Sequence, residues 1–109
     1  MNKLPLAENA DEIFEIDDRP ERIIEVPEWG KSVVVRELDA KTMAIITKST
    51  TDEKGNIDSV EFSSRVILEG MVKPKLSPAH IEKLKARSNR AFLRVYNEIA
   101  EKKKEPLNN

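Results

Sequence analysis

The apolar positions change period partway along the chain. Between Ile23 and Glu37 they cluster in two short runs, Ile23 to Val26 and Ser32 to Glu37, and from Leu38 onward they recur every three or four residues. The first arrangement suits extended strands and the second suits amphipathic helices. Pro27, Glu28, Trp29, Gly30 and Lys31 separate the two runs, and a proline and a glycine in so short a connection predict a β-hairpin. In its second strand Val33 and Val35 fall on one face and Val34 and Arg36 on the other. A lone hairpin is marginal in water, so its apolar face is expected against the helices that follow.

The helical spacing divides into about four segments. Asp39 is positioned to cap the first, which runs to about Lys48 with Met43 and Ile46 on its stripe, Ala40 and Thr47 beside them and Ile45 widening it. The polar run 49–58 is a loop in which Gly55 and Asn56 can take positive φ. Asp58 or Ser59 caps a second helix to about Glu69, where Phe62 aligns with Val66 and Ser63 with Ile67, and Gly70 is placed to end it. Val72 to Leu76, with Pro74 inside it, is expected to be a connector. Ser77 followed by Pro78 starts a third helix, to about Arg87, that buries Ile81 and Leu84 and stops or bends near Ser88 and Asn89. A fourth, from Asn89 or Arg90 to about Lys103, carries Phe92, Val95 or Tyr96, and Ile99 on one stripe. Lys102, Lys103 and Lys104 suit its C-terminal dipole, and Pro106 stops it.

Ahead of the hairpin the pattern is lost. Residues 1–20 form an expected flexible acidic arm, open to ordering against a partner, in which Ile13, Phe14 and Ile16 make a short apolar knot among acids. Strand and helical turn are both compatible with the knot. Residues 21–104 are expected to be one domain and 105–109 a disordered tail. The fold class is therefore α+β, mainly α, with an N-terminal β-hairpin packed on about four helices.

Composition narrows the chemistry. The chain has 109 residues, which suits one modest core, and aromatics are 5% of it, so the core rests on Ile, Val, Leu and Met with Trp29, Phe62, Phe92 and Tyr96 as its larger pieces. Nineteen basic and twenty acidic residues give a net charge of −1, which supplies no global attraction to nucleic acid or an anionic membrane. No cysteine is present, excluding disulfides and thiolate chemistry. The N-terminal stretch does not read as a secretory signal, and no apolar run reaches bilayer length, so an intracellular, cytoplasmic chain is expected.

Candidate chemical sites are few. His80 stands without a cysteine or a second histidine at ligand spacing, the acids at 11–18 lack the glycine and closing glutamate of a calcium loop, and Gly30, Gly55 and Gly70 are isolated. No enzyme, metal or cofactor is expected. The basic residues Lys83, Lys85, Arg87, Arg90 and Arg94 suit either a solvated face or, as the alternative function, a small phage or bacterial adaptor touching nucleic acid. Trp29 at the hairpin turn is either a lid on the core or an anchor for another protein. Phe92, Tyr96 and Ile99 are either core or part of a partner-binding surface.

The order Val26-Pro27-Glu28-Trp29-Gly30, the strand Val33-Val34-Val35-Arg36 and Leu38 before a helix resembles the small tail assembly chaperones of long-tailed bacteriophages and prophages. The likeness extends through Phe62 to Leu68, Val72 to Leu76, Ile81-Glu82-Lys83-Leu84, Ser88, Phe92 and Ile99, spanning roughly residues 22–103. Asp39 stands where threonine often precedes the helix in the commoner form. The resemblance implies a non-catalytic chaperone in the host cytoplasm that binds the tape measure protein, keeps it soluble and helps recruit the tail tube protein. It also implies self-association, and a longer form made by frameshifting, for which Lys102 to Lys104 is the candidate site of an A-rich slippery sequence.

Overall fold

A computed structural model describes residues 3–100. Two strands, β1 (Arg22–Val26) and β2 (Lys31–Val35), form the antiparallel hairpin, with Arg22 opposite Val35 and Val26 opposite Lys31. Pro27–Trp29 makes a single 3-10 turn between them. Gly30 closes that turn at φ 64°, where a side chain is disfavoured, and its N–H donates to the Pro27 carbonyl at 3.0 Å. Val26, Val33 and Val35 are buried on one face, as the alternation predicts, while Ile23 and Glu25 face solvent.

Four helices follow within the described residues: α1 (Ala40–Ser49), α2 (Ser59–Gly70), α3 (Ile81–Lys85) and α4 (Asn89–Ala100). The fold is thus α+β and mainly α. Asp39 and Asp58 cap the first two through bonds from Thr42 N–H at 2.7 Å and Glu61 N–H at 3.1 Å. At the start of α4, the Ser88 hydroxyl accepts from Ala91 N–H at 3.3 Å. Helices α2 and α4 pack on each other, with α1 and α3 against α2 and the hairpin against α4. Val66, Ile67, Val95 and Ile99 form the centre with Val26 and Val35. Arg22 ties β1 to α4 through the Glu98 carbonyl and carboxylate.

Several expectations are corrected. Val72 to Leu76 is not only a connector: Met71–Lys73 is a third strand, β3, paired antiparallel with β2 across an irregular register. Gly70 ends α2 as expected, being its last helical residue with Met71 as the C-cap, though its φ is not positive. Its small size serves a different purpose, because a Cβ there would lie 2.6 Å from Ile99 Cγ2. Gly55 takes φ 89° but Asn56 does not adopt positive φ. Asp52 Oδ1 instead organises that loop, accepting from the N–H groups of Lys54 and Asn56 at 2.8 and 2.9 Å. Ile45, 60% exposed, does not widen the buried stripe of α1. The third helix opens as a 3-10 turn, Pro78–His80, and is regular only from Ile81 to Lys85.

The N-terminal segment lies on the outside of this core. Ala10–Phe14 is a 3-10 helix rather than a strand, capped by the Asn9 side chain, and residues 3–18 are all exposed. It is tied to the body where it meets the hairpin. Arg36 Nε donates to the Arg19 carbonyl at 2.6 Å, and Arg19 donates to the Glu37 carbonyl at 3.0 Å. The expected end of the fourth helix near Lys103, the lysine run and the 105–109 tail lie outside the described residues.

Candidate functional site

The hairpin turn is fixed to the helical layer by an ion pair with favourable geometry. Arg94 on α4 donates through Nε and a terminal nitrogen to the two Glu28 oxygens, at 3.2 and 2.9 Å. This bond to Arg94 holds the Glu28 carboxyl below the ordinary glutamate range and raises Arg94 in return. With Glu28 held on α4, the next residue, Trp29, is half-buried and packs against the core. Its indole N–H is buried without a hydrogen-bond partner among the described residues.

Beside Trp29 opens a groove of about 490 Å³. Val33, Met71 and Leu84 form its floor, Trp29 and Leu76 its walls, and the surface it presents is almost wholly apolar. β2, β3 and α3 each contribute to it, with Pro74, Leu76 and His80 of the connection between β3 and α3 at its side. Lys31, Lys83 and Arg87 stand exposed at its margin, and among the described residues no carboxylate lines it. The cations therefore remain available to an acidic partner, while Trp29, Pro74 and Leu76 present apolar surface to its side chains.

His80 reaches this groove but is also occupied locally. Its Nδ1 accepts from Ser77 N–H at 2.9 Å, satisfying a backbone donor at the start of the third helix. That bond places the proton of the neutral ring on Nε2. Among the described residues no group of three or more His, Cys, Asp or Glu side chains could hold a metal ion. A second hollow, of about 860 Å³, runs along the outer side of α4 by Glu28, Arg90 and Arg94, but polar and charged groups line most of it.

The four partner-binding candidates from the sequence do not share one surface. Phe92 and Ile99 are core residues, 8% and 2% exposed, and cannot meet a partner without the core opening. Tyr96 is half-buried and meets the Phe62 ring edge-on, with centroids 6.4 Å apart. Trp29 alone lines the apolar groove. Met71, Pro74 and Leu76 were not recognised as parts of a site, since their use depends on the unforeseen pairing of β3 with β2.

The basic run is also divided. Lys85 turns toward α2 and α3, bonding Glu61 at 2.5 Å and Glu82 at 3.2 Å, and Arg94 is held by Glu28. Lys83 and Arg87 border the groove, whereas Arg90 lies by the polar hollow. Comparison with known protein families, curated proteins and solved structures finds no match to this chain. No described helix is long and apolar enough to cross a membrane.

Proposed function

We propose that this chain is a non-catalytic tail assembly chaperone of a long-tailed bacteriophage or prophage, which holds apolar segments of the tape measure protein in solution and helps bring tail tube subunits to it. The observation that carries the reading is the cation-rimmed apolar groove lined by Trp29, a residue of the same Pro-Glu-Trp-Gly turn that carries the sequence resemblance. An open apolar floor with charged margins suits the apolar face of a partner helix. Trp29 is the anchor in this arrangement, and part-exposed Leu76 is the surface that the partner covers.

Co-expression of the full chain with a tape measure protein encoded in the same genome tests the reading. The tape measure protein is expected to stay soluble and to co-purify with the chain, and Leu76→Glu is expected to abolish both effects while the variant stays folded. An insoluble tape measure protein despite abundant folded chain would overturn it. The nucleic-acid adaptor gains no comparable support, because the basic residues that suggested it are split between ion pairs and separate surfaces.

A further inference from the structure

The cations at the groove are ones the fold leaves unanswered. Arg19, Arg22, Arg36, Arg65, Lys85 and Arg94 each pair with a carboxylate. Lys31, Lys83 and Arg87 form no ion pair among the described residues, although acids outnumber bases in the chain by twenty to nineteen. The acids nearest to them in sequence are engaged elsewhere. Glu28, ahead of Lys31, is held by Arg94 at 2.9 Å, and Glu82, beside Lys83, bonds Lys85 at 3.2 Å.

The other polar groups of the lining act in the same sense. His80 Nδ1 is taken up by Ser77 N–H, so the neutral ring has Nε2–H left to offer. Apart from the Ser32 hydroxyl, every polar side chain that lines the groove is therefore a donor. A ligand that covers Trp29 and Leu76 gains apolar contact whatever its charge. Carboxylates beside its apolar residues add attraction to the margin, whereas lysine or arginine there sets like charges against each other.

We infer that the groove selects segments whose apolar side chains are flanked by Asp or Glu, and rejects equally apolar segments flanked by Lys or Arg, with Lys31, Lys83 and Arg87 as the specificity-determining residues. Lys31 comes from β2, and Lys83 and Arg87 from α3 and the turn after it, so the ligand meets cations from two elements. The inference rests on the chaperone reading, in that it names which tape measure segments are held. Apolar contact supplies the hold, and the charges decide between segments.

Trp29 is the chain's only tryptophan, so its emission reports on the groove. Two designed helical peptides without tryptophan test the inference on the purified full chain; they share one stripe of leucine and phenylalanine and differ only in carrying glutamate or lysine beside it. The glutamate peptide is expected to bind about tenfold more tightly at low salt, with the difference shrinking as salt rises. Lys83→Glu/Arg87→Glu is expected to reverse the order, while Lys41→Glu/Lys48→Glu on α1, outside the groove, should keep it. If the charge-reversed variant does not fold, Lys83→Ser/Arg87→Ser takes its place and should bring the two affinities together. Equal affinities in wild type, a preference for lysine, or binding of neither peptide would overturn the inference. Glutamate-selective binding alongside a tape measure protein that stays insoluble would sink the chaperone reading and leave the selectivity standing. A soluble tape measure protein alongside equal affinities would do the reverse.

Discussion

Gly70 and Ile99 approach so closely that no side chain fits between their helices. A Cβ on Gly70 would stand 2.6 and 2.9 Å from Ile99 Cγ2 and Cδ1, and 3.0 Å from the Arg36 carbonyl oxygen. The same residue ties the sheet to α2, because its carbonyl accepts from Arg36 N–H at 2.9 Å. Gly70→Ala is therefore expected to cost about 1–3 kcal/mol through overpacking. Ile99→Ala alone should cost about 2–5 kcal/mol by leaving a cavity. The double variant should be less destabilised than the sum, because the smaller residue relieves the clash. Urea unfolding of the three variants measures this, and strict additivity would show that the two residues do not compete for the same space.

Trp29 separates two roles that the sequence left open. Its ring packs against the core but is half-exposed, so Trp29→Ala should leave the domain folded and cost less than the about 3–5 kcal/mol of a fully buried tryptophan. Trp29→Phe should be neutral or stabilising, since it removes a buried N–H that has no partner. Denaturation midpoints followed by circular dichroism decide both. Complete unfolding of Trp29→Ala would make the residue a lid rather than an anchor.

The elements most legible in the sequence were those with local causes. The period of Val33 and Val35, the Pro27 to Gly30 turn and the caps at Asp39 and Asp58 each depend on residues a few positions apart. Strand β3 was missed because three residues give no alternation to detect; Met71 and Lys73 become a strand only through Val35 and Val34 of β2. The packing role of Gly70 was hidden for a related reason. Its size is required by Ile99, which lies far along the chain. The groove inherits this limit, since Trp29 and Leu84 were visible as apolar residues, but the floor between them needs β3 in place.

The cap of α2 provides a test of a purely local cause. Asp58 accepts from Glu61 N–H, and its own N–H donates to the Thr50 carbonyl at 3.1 Å, so it closes the loop as well as opening the helix. Asp58→Ala should cost about 0.5–2 kcal/mol, whereas Asp58→Asn, which retains an acceptor oxygen, should cost much less. Equal losses in urea melts would assign the effect to charge rather than to capping.

Acid is expected to destabilise the fold through a small set of identifiable carboxylates. The Lys85 side chain lowers Glu61, the Arg94 side chain lowers Glu28, and backbone N–H groups of Arg19 and Thr42 lower Asp17 and Asp39. A carboxyl lowered on folding binds fewer protons in the folded chain than in the unfolded one. Its contribution is therefore present above the ordinary carboxylate range and is lost as pH falls through the lowered folded value. Lys85 behaves oppositely: Glu61 raises it, so its share is present below the ordinary lysine value and is lost as pH rises through the raised one. Between these limits stability should be nearly flat with pH. Because Glu61 bonds both Lys85 and Arg65, at 2.5 and 2.9 Å, Glu61→Gln should weaken the neutral plateau and reduce the fall on both sides. Urea midpoints measured from acid to alkaline pH check this, and a Glu61→Gln profile parallel to wild type would place the acid sensitivity on other groups.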